Sequence, residues 1–524
     1  MSFSRDVLAW GGLPAAVQRP AGVARGKAVL PRPGLDEWGL PAKWTVLAVV
    51  LLLMPTEGTV TAWSFVLAAL LPIVVWLDGK SRILLPLALI SAAYLVGVPL
   101  QILLQTDFAS PWPVALGEPY KDLALRWILE GFLAFVLGFL LAARPRAAAP
   151  GERQSEPVEI RLRATRILAW AGTAGTLGQL YLSRGQVYTF SKDLDQSASS
   201  STQMVMQLGI VAAPLAVFLW ERAVLEGKAR RLEASNVAVW ASTALLIMGS
   251  GTKGLPLLLL LAVGLPQVMS KRRSAIELAA LFAAGVVATL LVFSVFTNFR
   301  DVAAVDTLQR EPGLIGNLRF QVRVMDEAVQ RTGDELRDGT VFGVGEGAGR
   351  SRVEQAIDRL SGSSLGLATC IQMTNGQSSY ENLVWAPALP VIAFVPRGIW
   401  PDKPIFLDSG IFATMLGWNR PGAPVGGISV GLAGSLYWIS GHGGIIVGML
   451  CLGWFGGLTA TRAYGRRSTS WFWEALAFFV ICSLVNVGVE ATSLVISSIR
   501  MMALLGAIHL FAPMRWDFSA SGRP

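Results

Sequence analysis

Twelve long apolar runs, separated by short polar loops, constrain this chain more than any other feature. They fall at about 44–55, 59–77, 83–105, 123–143, 164–182, 203–223, 236–249, 253–269 and 275–298, and again at 442–460, 471–489 and 491–512. About 20 apolar residues cross a bilayer as a helix, so the first run and the pair within 236–269 are short for the purpose. Lipid offers backbone N–H and C=O groups no partner, and a span therefore has to satisfy them within its own helix. Composition agrees. Hydrophobic residues make up 53% of the 524 and charged residues only 15%, where a soluble domain carries about 25% charge; mean hydropathy is +0.52. The expectation is an all-α polytopic membrane protein of about twelve transmembrane helices.

Charge sets the orientation. Lys80 and Arg82, then Arg144, Arg146, Arg153, Arg161 and Arg163, then Arg222, Lys228, Arg230 and Arg231 fall in alternate loops. Lys271, Arg272 and Arg273, and finally Arg462, Arg466 and Arg467, continue the series. The intervening short loops hold only Lys121, Arg184, Lys192 and Lys253. Basic residues mark cytoplasmic loops, which puts both termini in the cytoplasm. The net charge of +9 is thereby read as a topology signal, and no nucleic-acid partner is expected. Residues 1–43 form a polar tail with no early apolar segment, so a cleaved signal peptide is not expected. Residues 44–298 hold spans one to nine, 299–441 a large periplasmic loop, and 442–524 spans ten to twelve with a cytoplasmic tail. Parity keeps the apolar stretch Asn382–Val395 from being a simple span. It reads as a re-entrant hairpin or a helix resting on the bundle, and irregular backbone at membrane depth is tolerated only in protein or beside a cavity. Earlier in the same loop, Arg319, Arg323, Asp326 and Glu327 sit in a stretch of helical pattern.

Within that loop the segment Phe394-Val-Pro-Arg-Gly-Ile-Trp-Pro-Asp-Lys-Pro404 carries the most chemistry. Pro396 and Pro401 bracket Arg397, and Pro401 and Pro404 bracket Asp402 and Lys403, which stiffens the backbone outside a helix. A guanidinium and an ammonium displayed on a rigid turn suit a phosphate or diphosphate. The alternative is an interfacial anchor whose basic groups snorkel to headgroups beside Trp400.

This stretch resembles the PR-x-[IL]-W-P-x-K-P signature of the oligosaccharide repeat-unit polymerases, the Wzy-type O-antigen and exopolysaccharide polymerases. Asp358-Arg359-Leu360-Ser361 and Gly376-Gln-Ser-Ser-Tyr380 upstream resemble further elements of that family. So do Gly434-Ser-Leu-Tyr437 and Gly441-His-Gly-Gly444 downstream, and Gly249-Ser-Gly-Thr-Lys-Gly254 between two spans. The resemblance covers roughly 236–460, and its specific part is the proline-bracketed motif. It implies a GT-C-like glycosyltransferase of the bacterial inner membrane, metal-independent, inverting and without a cofactor. Such an enzyme moves a growing glycan from polyprenyl diphosphate to a hydroxyl of the next lipid-linked repeat unit. Its partners are polyprenyl-diphosphate-linked oligosaccharides and the bilayer, with a chain-length regulator and a flippase of the same pathway. Two departures stand out. Lys253 replaces the family's usual Arg, which keeps the charge and loses the bidentate fork, and Ser435 stands where an acidic residue is common.

On this reading Arg397, Lys403, Lys253 and Arg359 bind the diphosphate, with Arg500 of the last span behind them; Arg397 and Lys403 are also catalytic candidates. Tyr380, Trp400 and Tyr437 complete the motif. His442, at the outer mouth of a span, is a candidate general base for an acceptor hydroxyl, with a polar interface residue as the alternative. His509 lies toward the cytoplasmic end and is set aside. Charge at membrane depth is costly without a partner or a function. Arg126 and Glu130, spaced i,i+4, are expected to neutralise one another, and Arg500 either pairs with Glu490 or meets a ligand. Gly343-x-Gly-x-Gly-x-Gly349 lacks a strand–helix frame, Gly249–Gly254 lacks P-loop spacing, and no HExxH or CxxC suggests a metal. Cys370, Cys451 and Cys482 suggest no disulfide framework. An O-antigen ligase is the alternative within the class; a polysaccharide or lipid transporter is disfavoured because no repeat is found.

Overall fold

The computed structural model describes residues 36–55, 57–79, 81–99, 118–143, 156–182, 200–250, 254–270, 275–305, 314–339, 366–374, 395, 400, 430–465, 470–486 and 488–512. Among the described residues every regular element is a helix, and no strand forms. The helices are α1 (Asp36–Leu53), α2 (Gly58–Gly79), α3 (Leu85–Gly97), α4 (Glu118–Ala142), α5 (Val158–Leu182), α6 (Ser200–Leu225) and α7 (Ala234–Ser250). They continue as α8 (Gly254–Ser270), α9 (Ala275–Val305) and α10 (Leu314–Arg337). After α11 (366–374) come α12 (Gly431–Tyr464), α13 (Trp471–Val485) and α14 (Ala491–Phe511).

Five of these are long and apolar enough to cross a membrane, over Gly58–Asp78, Pro119–Ala142, Ala283–Ala303, Gly431–Tyr464 and Ala491–Phe511. Trp63, Leu67, Leu70, Val74 and Leu77 recur every three or four residues along α2 and remain exposed. In water such a stripe invites association; lipid solvates it. The chain is thus an all-helical, multi-pass membrane protein. Shorter apolar helices cover Lys43–Leu53, Leu85–Gly97, Ala234–Ile247, Leu255–Met269 and Trp471–Val485. The runs expected at 164–182 and 203–223 are helical as well, in α5 and α6.

Several boundaries differ from the expected ones: α1 already begins at Asp36 and α3 ends at Gly97 rather than near 105, and two differences matter most. α9 continues past 298 to Val305, and α12 begins at Gly431 rather than near 442. The helical pattern around Arg319 is realised as α10, which lays Phe320, Val324 and Ala328 against Phe299, Val302 and Ala303 of α9. Asn298 donates to the Thr332 hydroxyl at 3.0 Å. The backbone therefore stays helical where hydropathy drops, because α10 supplies α9 with an apolar face beyond the apolar run.

α4 and α12 pack backbone against backbone, and glycine is the reason. A Cβ on Gly138 would collide with the Leu450 carbonyl oxygen, one on Gly453 with that of Phe135, and one on Gly457 with that of Phe139. Small residues let backbones approach in a bilayer, where no hydrophobic force drives helices together and dispersion must. The order of contacts makes this pair parallel. Gly131 faces Ile445 and Met449, and Thr461 donates to the Ala142 carbonyl at 3.3 Å.

Other contacts gather the helix ends into two sets. Arg126 reaches the carbonyls of Leu51 and Leu52, and Ala491 N–H donates to Ser435 Oγ at 3.1 Å, so the end of α1 and the starts of α4, α12 and α14 share one end of the bundle. At the other, Arg163 donates to the Ala512 carbonyl at 3.2 Å and Arg161 meets Glu474. That second end, holding Arg161, Arg163, Arg166, Arg222, Lys228, Arg230 and Arg231, is the basic end. Between the ends, Phe132 packs on Phe65 and Tyr94 with centroids 5.2 and 5.4 Å away. Phe218 stacks on Phe478 at 4.4 Å.

Candidate functional site

α12 is not continuous. Ser440 (φ −150°, ψ 23°) and Gly441 (φ 68°, ψ −160°) leave helical geometry and join two helical segments across a kink. The local sequence Ser440-Gly-His-Gly-Gly444 allows this. Gly441 occupies a positive-φ region that a side chain resists, and a Cβ at Gly444 would press on the Leu436 carbonyl at 2.6 Å. The kink sets His442 against α4, and there the polar groups of the bundle converge.

His442 Nε2 lies 2.5 Å from Glu130 Oε2. The imidazole stacks on Trp127, with centroids 4.7 Å apart and planes 19° from parallel. Glu130 Oε1 accepts from Arg126 Nε at 3.0 Å. Arg126 then donates to the Leu51 carbonyl at 3.2 Å and to that of Leu52. These carbonyls belong to the last turn of α1, which has no intrahelical donors left for them. One guanidinium thus caps α1 and anchors a carboxylate. Glu130 lies twelve residues from the start of α4, about 18 Å along the axis at 1.5 Å per residue. The array is well inside the helical bundle, where unpaired charge is costly.

The expected Arg126–Glu130 pair is present. Its second partner, His442, is 312 residues away in sequence, and i,i+4 spacing along one helix carries no sign of it. The available signal was scarcity, since the chain has two histidines and few acids within apolar runs.

The remaining expected residues divide into three groups. His442 and Tyr437 flank the kink and both touch Trp127, the Tyr437 ring at 5.5 Å. Tyr437 is fully buried, and its hydroxyl shares a 2.8 Å hydrogen bond with Thr374 Oγ1. It thereby fastens α11, whose Leu367 and Ile371 belong to the main core, onto α12. Trp400 is partly buried. Arg500 sits partly buried in the middle of α14, with Glu490 at that helix's N-cap. Ten residues of helix, about 15 Å, separate them. Lys253, Arg359, Tyr380, Arg397 and Lys403 lie outside the described residues, as does all of 382–395 except Val395. Ser435 uses its hydroxyl to accept from the first amide of α14.

A second polar cluster occupies the basic end, and the charge pattern foretold only its cations. Glu474 is fully buried, with Arg161 Nη2 2.8 Å from one carboxylate oxygen and Arg222 Nη1 2.8 Å from the other. Glu226 bridges the same two arginines at 3.5 and 3.2 Å and takes Lys228 at 2.7 Å. Arg161 and Arg222 are structural partners inside the bundle as well as orientation signals. The cluster ties α5, α6 and α13 together. Burial works against the Glu226 carboxylate, but Lys228, Arg161 and Arg222 outweigh it and hold its pKa below the ordinary value.

No group of three or more His, Cys, Asp or Glu side chains suited to a metal occurs among the described residues. The array at the kink can stack a planar face on Trp127, accept a proton at an imidazole and stabilise the resulting cation with a carboxylate. No protein-family model, curated protein or solved structure matches the chain, so the reading of this site rests on its own residues and their geometry.

Proposed function

We propose that this chain is a polymerising glycosyltransferase of the bacterial inner membrane. It transfers a growing glycan from polyprenyl diphosphate to a hydroxyl of the next lipid-linked repeat unit, at the periplasmic face, with both termini in the cytoplasm. The observation that carries this reading is the Glu130–His442 pair, held at a glycine kink inside an apolar bundle. A bundle that needed only stability would fill that space with apolar side chains at lower cost. The resemblance of the 394–404 segment to the repeat-unit polymerases supplies the substrate class.

The chemistry asked of the protein is modest. A diphosphate is already a good leaving group, and cations aimed at its developing charge supply much of the stabilisation. Arg397, Lys403, Lys253 and Arg359 fill that role in this proposal, with Arg500 behind them. The exposed apolar faces of the helices suit the prenyl chains, and no metal is invoked.

The test is the lipid-linked glycan profile of cells with and without the gene. Loss of the gene is expected to leave single lipid-linked repeat units in place of polymer. Accumulation of long lipid-linked chains would make the protein a ligase, and an unchanged profile would remove glycan transfer altogether.

A further inference from the structure

His442 uses one of its two ring nitrogens within the protein. Nε2 is committed to Glu130, the ring face is covered by Trp127, and among the described residues nothing takes Nδ1. The side chain is 39% exposed, against 18% for Glu130, so the open edge of the imidazole faces out of the array. A carboxylate on one nitrogen selects the tautomer protonated there and leaves the other with its lone pair. Here that makes Nε2 the donor and Nδ1 the acceptor. Arg126 completes the support. It is fixed by the carbonyls of Leu51 and Leu52 and so holds Glu130 from behind.

We propose that Glu130 and Arg126 position His442 so that Nδ1 takes the proton of the acceptor hydroxyl during glycosyl transfer. This rests on the polymerase reading above and assigns the proton transfer within it. The acceptor oxygen attacks the anomeric carbon as its O–H bond breaks, and the proton passes to Nδ1. The bond from the anomeric carbon to the diphosphate oxygen breaks with its electron pair, and the lipid diphosphate leaves. The imidazolium is stabilised by Glu130 and returns the proton to water. His442 is the catalytic residue of this step; Glu130 and Arg126 are positioning residues. The groups facing the imidazole are Glu130 and Trp127 on α4, with Arg126 behind Glu130, and Tyr437 on its own helix.

The experiment uses the full-length protein in lipid vesicles, supplied with lipid-linked repeat units extracted from cells lacking the gene. Initial rates and apparent KM are followed across pH. A single proton-accepting group makes the wild-type rate rise with pH to a plateau. His442→Gln is expected to lower kcat about 100-fold or more, within the range general-base groups contribute, to change KM little and to abolish the limb. Glu130→Gln keeps a hydrogen-bond acceptor and loses the charge. It is expected to lower kcat about tenfold and move the limb to lower pH, because the imidazolium loses its counter-ion. Its near-identical size keeps the test open if His442→Gln destabilises the bundle. A purely structural pair would change protein yield and leave the profile in place. Wild-type rates in His442→Gln, or an unmoved limb in Glu130→Gln, overturn the proposal and leave the polymerase reading standing. Wild-type protein that elongates nothing overturns that reading and this proposal with it.

Discussion

Buried charge is handled in two ways in this bundle, and the contrast separates a structural clasp from a site. At the basic end Glu474 has no exposed surface, and both of its oxygens are taken by arginines. Toward the other end Glu130 is likewise shared between two partners, but one of them is an imidazole with an edge left open. The carboxylate of the first cluster is sealed from any ligand by burial. The second sets its carboxylate between an arginine and an imidazole and retains an unused acceptor. Exposure of an acceptor that the protein itself does not use, rather than charge, is what distinguishes them.

Breaking the closed cluster is expected to have the largest effect on folding. Glu474→Leu leaves Arg161 and Arg222 with only the partly exposed Glu226 between them, and removing one member of a buried ionic set typically costs about 3–5 kcal/mol. Thermal unfolding in detergent should show it as a large drop in Tm with little folded protein recovered. An unchanged Tm would mean that the clasp holds nothing. Glu130→Gln, by contrast, should lower the unfolding free energy by only about 1 kcal/mol, the net worth of an ordinary hydrogen bond, and so shift Tm little while lowering activity. Equal losses of stability from the two substitutions would erase the contrast.

An intermediate effect is expected from the glycine seam that joins the two ends. Gly453→Val places a branched side chain on the Phe135 carbonyl, and overpacking of this kind costs about 1–3 kcal/mol. Because α4 and α12 carry Glu130 and His442 respectively, the helices should separate at the site as well. A cysteine pair introduced at Trp127 and Tyr437 would cross-link efficiently in the parent and poorly with Gly453→Val; equal cross-linking would show that the seam does not set the register.

The smallest effect concerns acid. The folded-state pKa of Glu226 is held down by Lys228, Arg161 and Arg222 against the opposing effect of burial. A depressed carboxylate contributes stability that is fully present above its unfolded-state pKa and is lost as pH falls through the folded one. Acidification below the usual carboxylate value of about 4.3 should therefore loosen the basic end. Glu226→Gln should flatten that part of the Tm–pH curve, and a curve that keeps its acid slope would assign the loss to other groups. The open array at the kink should make its pH response felt in rate rather than in Tm.

Most helices of the described residues were legible in the sequence, though α11 was not, and so was the pairing of Arg126 with Glu130. Apolar length reports directly on a backbone that must bond to itself in lipid, and i,i+4 neighbours meet on any helix. The charge series through Arg161 and Arg222 was equally visible. Its burial against Glu474 was not, because Glu474 lies more than 250 residues further on, within an apolar run of ordinary appearance. The extension of α9 to Val305 was missed for a related reason. Hydropathy describes a segment's solvent, while Phe299 and Val302 are solvated by another helix, α10.

By itself, then, the sequence determined most of the segments that are helical and apolar, and it supplied one histidine beside a glycine cluster. It also carried the motif in which Pro396, Pro401 and Pro404 bracket Arg397 and Lys403. Only the tertiary structure decided that His442 meets Glu130 rather than lipid or water. That choice depends on the rotation and register of α4 against α12, which are set by glycine backbones lying close enough to exclude any other alignment. Register between distant helices is a property of how two surfaces fit, and neither surface is written in one stretch of chain.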